Sequence, residues 1–99
     1  MTKNSLCFHP LVAQDLQEAF LWYEEQATGL GQRFYAEVDI RFDHIEEKPD
    51  RFAHAFGEPD YRFAMLNKFP YLIIFRTHEG NIEILGVFHS ASSPEKWRR

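Results

Sequence analysis

Cysteine is nearly absent from this chain: Cys7 stands alone, so no internal disulfide can form and a disulfide-stapled secreted scaffold is excluded. Long hydrophobic runs are missing too. The longest apolar stretch, Tyr71 to Phe75, is strand-sized and far short of the roughly 18 residues that cross a bilayer as a helix, so no membrane partner is expected. Residues 1–15 lack the cationic start and apolar run of a signal peptide, and the expected location is the cytoplasm. No Gly-x-Ser-x-Gly elbow, Cys/His pairing or strand-linked Gly-rich phosphate loop occurs, which removes the usual signals of hydrolase or kinase chemistry. His9, His44, His54, His78 and His89 form no i, i+4 pair, so neither a metal site nor a cofactor is expected.

Aromatics, by contrast, are plentiful. Ten Phe, four Tyr and two Trp in 99 residues supply one compact core, and the expected organisation is a single domain over residues 1–99. The net charge of −4 argues against generic nucleic-acid binding, yet its distribution is uneven. Residues 1–61 carry five Lys/Arg against twelve acids, whereas residues 62–99 carry six against three. Carboxylates on the wet faces of helices explain part of this, and a cationic sheet meeting an anionic target is the functional alternative.

Residues 4–8 suit a short strand. Pro10 suits a helix start, and Val12, Leu16, Ala19, Phe20, Tyr23 and Ala27 then recur at helical spacing, predicting a first helix over about 10–27. Gly29 and Gly31 end it. Phe34, Val38, Phe42 and Ile45 define a second helix over about 31–48, stopped by Pro49. Asp50 to Asp60 reads as a loop, followed by antiparallel strands near 61–67, 70–77 and 82–89, with a Gly-containing turn at His78 to Asn81. Ser93 before Pro94 offers a cap for a final helical turn. The result is an α+β fold in β-α-α-β-β-β order, a helical hairpin packed on an antiparallel sheet. Its expected core comprises Phe20, Tyr23, Phe34, Val38, Phe42, Leu72, Ile74 and Ile84, with Leu72 and Ile74 leaning on the helices; an offset of one residue would give that side to Ile73 and Phe75 instead.

One ordered set of features runs through the second half of the chain: Arg62, then Phe69-Pro70-Tyr71, a strand, a Gly turn, a strand ending in His89, and Pro94-Glu-Lys-Trp97. Upstream lie Asp15, Ala19, Trp22-Tyr23 and Gly29-Leu-Gly31 with Phe34. This pattern resembles the RelE/ParE family of toxins from bacterial type II toxin–antitoxin systems, plasmid-stabilising growth inhibitors, and the upstream part is similar to the ParE branch. The resemblance covers roughly residues 8 to 97 and implies the same β-α-α-β-β-β fold. It implies a cognate antitoxin as partner, and either DNA gyrase or the ribosome with its mRNA as target. A homodimer or a heterotetramer with the antitoxin is the accompanying expectation for assembly.

If the chain were a ribosome-dependent mRNA endonuclease, Arg62 and His89 are the positions that match catalytic groups, supplying charge stabilisation and proton transfer. The family's endonucleases often carry a C-terminal Tyr, and no Tyr follows Tyr71 here. The resemblance therefore favours a ParE-like mode, binding without bond chemistry, through Arg62, Lys68, Arg76, Lys96, Trp97 and Arg98. Leu11 and Trp22 lie roughly 100° from the centre of the first helix's core stripe and Leu21 nearly opposite it, so these three are the expected antitoxin contacts. Ser92 stands where members of this type commonly carry Arg, which opens a third reading, a detoxified homologue that only binds its partner.

Overall fold

The computed structural model describes residues 5–55, 58–92 and 95; the expected C-terminal helical turn lies outside them. Strand β1 (Ser5–Phe8) leads through a turn into α1 (Val12–Gln26) and α2 (Leu30–Glu47). A 3-10 turn (Pro49–Arg51) and a two-residue strand β2 (His54–Ala55) follow, then β3 (Glu58–Met65), β4 (Tyr71–His78) and β5 (Asn81–His89). The five strands form one sheet in the order β1-β5-β4-β3-β2, antiparallel except for the parallel β1–β5 pair. The segment expected as a loop thus contains the 3-10 turn and an extra edge strand. No helix among the described residues is long and apolar enough to cross a membrane.

Helix α1 starts two residues later than Pro10 suggests because His9 organises the entry. Its ring Nδ1 accepts the Leu11 N–H (3.1 Å), its carbonyl accepts the Val12 N–H (3.0 Å), and its own N–H donates to the Ile84 carbonyl (2.8 Å). The turn is thereby fastened to β5. At the hairpin between the helices, the Glu24 carboxylate of α1 accepts the N–H groups of Gly29 (3.2 Å) and Gly31 (2.8 Å). These are orphan donors at the positive end of α2, so one side chain caps the helix and offsets its dipole. Gly31 also permits the close crossing: a Cβ there would lie 2.7 Å from the Phe20 carbonyl oxygen.

The sheet is buried on both faces. Ile73, Phe75, Ile82, Ile84 and Val87 pack under Val12, Ala19, Tyr23, Phe34, Val38 and Ile45 of the helices. Leu72 and Ile74 are buried but sit in a separate cluster with Ala55, Leu85 and Phe88, bordered by Tyr61 and Phe63. The expectation that Leu72 and Ile74 lean on the helices is therefore corrected: Ile73 and Phe75 do so. Four consecutive apolar residues give β4 no polar side from which its phase could be read. Phe20, also expected in the core, is only half-buried and tilts against Tyr35, with ring centroids 4.5 Å apart. A bulge in β5 shifts the pairing from Ile74↔Gly86 to Phe75↔Ile84, turning Leu85 to the second cluster while Ile84 and Val87 both face the helices. The β4–β5 loop is Glu79-Gly80, both at positive φ (49° and 80°), the backbone a tight two-residue hairpin requires.

Candidate functional site

Arg62 and His89 come from different ends of the sheet. Arg62 pairs with Phe75 of β4 and His89 with Tyr71, four residues away along the same strand, or about 13 Å at strand rise. Their surroundings differ as well. The Arg62 guanidinium donates from Nη1 to the backbone carbonyls of Phe52 and Asp50 (3.4 Å for the latter), tying β3 to the 3-10 turn. His89 is exposed; its Nδ1 accepts the Ala91 N–H (3.0 Å) and its ring stands edge-on to Tyr71, with centroids 5.2 Å apart. The two groups are not brought together.

The expected cationic surface is likewise distributed. Arg62 lies opposite Phe75 on the helix side of the sheet, whereas Arg76 is the next residue of β4 and faces the other way. Arg76 is paired with Glu83 directly across from it on β5, Nη2 and Nε each 2.9 Å from Oε1. Lys68 sits in the β3–β4 turn with an exposed side chain. Lys96, Trp97 and Arg98 lie outside the described residues.

Leu11, Leu21 and Trp22 are exposed, Trp22 at 55%. Trp22 borders a recess of about 520 Å³ between α1 and β5, shared with Asp15, Glu18, Tyr71, His89 and Ser92. Here β1 pairs with β5 over Asn81 to Ile84, and among the described residues no strand continues along the far half of that β5 edge. Asp15 of α1 partly fills the gap, its carboxylate accepting the Val87 N–H at 3.1 Å. A bare edge N–H in a half-buried position would otherwise be costly. In sequence Asp15 stands out only as part of the family pattern, and its spacing gives no sign of this bond. Burial raises the Tyr71 hydroxyl above its usual range, with the Glu18 carboxylate adding to it, and burial also raises Tyr23, with Tyr71 adding to it. Both phenols are therefore neutral at physiological pH and weak proton donors.

Sequence reasoning missed a second concavity. The outer face of α2 and the β3–β4 turn enclose about 670 Å³, with Arg33, Glu37, Ile40, Arg41 and His44 at three- and four-residue spacing along the helix. Glu37 accepts the N–H groups of Asn67 and Lys68, and Arg41 donates to the Met65 carbonyl (2.9 Å) and Asn67 Oδ1 (3.1 Å). The turn is clamped onto the helix. Regular i, i+4 charges on α2 were the only available signal, and they read equally well as a solvated face. Among the described residues no cluster of three His, Cys, Asp or Glu could hold a metal ion.

Comparison with known proteins places this geometry. The chain superposes on a chain of the chromosomal ParDE TA system from P. aeruginosa with a TM-score of 0.76, at 18% identity and covering 87% of this chain and 95% of that one. It also superposes on a free double mutant of the E. coli toxin RelE with a TM-score of 0.60, at 14% identity and covering 93% and 88%. At these identities the likeness establishes the fold. Sequence carries it further: Toxin ParE2 of Mycobacterium tuberculosis, in strains CDC 1551 / Oshkosh and ATCC 25618 / H37Rv, is 36% identical over 95 residues, which is 95% of this chain and 88% of the relative. The family described as the ParE toxin of type II toxin–antitoxin system, parDE, matches residues 6–94. With sequence and fold in agreement over nearly its whole length, this chain belongs to the ParE toxin family of type II toxin–antitoxin systems.

Proposed function

We propose that this ParE-type toxin acts in the cytoplasm by binding DNA gyrase through surface contacts, without making or breaking bonds in its target, and that a cognate antitoxin neutralises it. One observation carries the choice of mechanism. RNA cleavage needs a base, a cation and an acid around one phosphate, and Arg62 and His89 stand about 13 Å apart along β4 with the Arg62 guanidinium already donated to backbone carbonyls. The acid is short as well: no Tyr follows Tyr71, whose own hydroxyl is a weakened donor.

In this reading Arg62, Lys68 and Arg76, with Lys96 and Arg98, supply the target-facing charge, and Trp97 adds a ring contact. Lys68 is the freest of the first three, since Arg62 holds the 3-10 turn and Arg76 pairs with Glu83. Leu11, Leu21 and Trp22 are the apolar contacts for the antitoxin, with Trp22 as anchor because it borders a recess. The test separates the two target classes. Added to purified gyrase and relaxed plasmid, the toxin stalls supercoiling, and the antitoxin restores it; in a purified translation system, protein synthesis proceeds and the mRNA stays intact.

A further inference from the structure

The groove between α2 and the β3–β4 turn has a mixed character that the Trp22 recess lacks, and it shares Lys68 with the gyrase reading. Its floor is apolar. The Phe69 ring is buried against Tyr23 and Phe34, with centroids 4.9 and 5.4 Å away, and Leu30 is half-buried beside them. Above this floor Ile40 is 54% exposed, a branched apolar side chain held on the wet face of a helix.

The rim is basic. Arg33 on α2 and Lys68 on the turn are both exposed, and among the described residues neither pairs with a carboxylate. Arg41 adds a third positive charge, fixed by the Met65 carbonyl and the Asn67 amide. Glu37 is the one acid on this lining, and its carboxylate is directed at the N–H groups of Asn67 and Lys68. A net positive, apolar-floored groove on a chain of net charge −4 is complementary to a segment of opposite charge that carries an apolar side chain of its own. The Trp22 recess cannot take such a segment equally well, because Asp15 and Glu18 line it.

We infer that this groove docks an acidic amphipathic segment of the antitoxin, an apolar side chain seated over Ile40 and Phe69 while carboxylates reach Arg33 and Lys68. The inference rests on the reading above that a cognate antitoxin binds this chain. The two surfaces then divide the partner: its acidic segment meets α2, and its apolar part covers Trp22. Long-range attraction to the basic rim speeds encounter, and the apolar floor slows release.

The test uses the full toxin and the purified antitoxin encoded by the adjoining reading frame, with affinity measured by calorimetry at low and high salt. Two variants probe the groove: Ile40→Glu, and Arg33→Glu combined with Lys68→Glu. All three positions are exposed, so the melting temperature of the free toxin stays at the wild-type value and reports intact folding. Each variant is expected to bind at least about tenfold more weakly, and the charge reversal to lose the salt dependence of the wild type. Wild-type affinity in both variants overturns the inference. So does loss of gyrase inhibition with antitoxin binding unchanged, which would give the groove to the target. A wild-type toxin that binds no antitoxin at all fails at the earlier reading and takes this inference with it.

Discussion

Arg62 shows how one side chain can be claimed by two accounts that predict opposite things. As a catalytic cation it would be dispensable for folding; as the donor to the Asp50 and Phe52 carbonyls it holds the 3-10 turn against β3. Hydrogen bonds from a charged donor contribute about 1.5–3 kcal/mol each way they are lost or left unpaired. Arg62→Ala should therefore destabilise the protein by about 1–3 kcal/mol, read as a lowered denaturation midpoint. His89→Ala, at an exposed strand end, should cost within about 0.5–1 kcal/mol. Equal and negligible costs would show that the Arg62 contacts do not support the fold. Sequence exposed the charge of Arg62 but not its partners, since backbone carbonyls leave no mark in a sequence. Ser92, singled out for replacing an Arg, donates its N–H to the His89 carbonyl (2.9 Å) and lines the recess with Trp22.

Among the elements, the helical hairpin depends on one close approach. Gly31 places α2 against the Phe20 backbone, and Glu24 caps the new helix from the old one. Backbone cannot yield as a flexible side chain does, so Gly31→Ala should cost about 1–3 kcal/mol by overpacking. An unchanged melting temperature would mean that the helices can part there freely. Both helices were legible because their apolar stripes repeat at helical spacing over about three turns: Val12, Leu16, Ala19 and Tyr23 in α1, and Phe34, Val38, Phe42 and Ile45 in α2. The strands were legible as apolar runs between turn residues, but their phase was not. Leu72 to Phe75 is apolar throughout, and the side each residue takes is decided by the Leu85 bulge and by a second cluster beneath the sheet, neither written in a local pattern. The two-residue β2 escaped notice because a strand that short has no period. The candidate site was less legible than the fold. Its residues are joined by tertiary packing, as Asp15 is to Val87 across 72 positions, and spacing along the chain says nothing about such pairs.

At the scale of the molecule, the aromatic cluster of Tyr23, Phe34, Phe69 and Tyr71 joins helices, turn and sheet, with Tyr23–Phe69 and Phe34–Tyr71 centroids 4.9 and 5.1 Å apart. It also sets an alkaline limit. Burial holds the Tyr23 and Tyr71 hydroxyls above their ordinary value of 10.0, so folding favours the protonated phenols. Their contribution is fully present below about pH 10, where both states are neutral, and is lost as pH rises and the unfolded chain ionises first. Denaturation midpoints should hold steady from neutral pH to about 10 and fall beyond it, and a Tyr71→Phe variant should fall less steeply. A variant as alkali-sensitive as the wild type would exclude Tyr71 from this effect. The larger matter at this scale is what the ParE fold does to a cell when its described residues assemble no cleavage centre. The proposed mechanism is binding without bond chemistry, and gyrase supercoiling assayed beside translation, with and without antitoxin, tests this most directly. Stalled supercoiling that the antitoxin relieves, together with uncut mRNA and normal protein synthesis, is the predicted result; cleaved mRNA with supercoiling unaffected would contradict it.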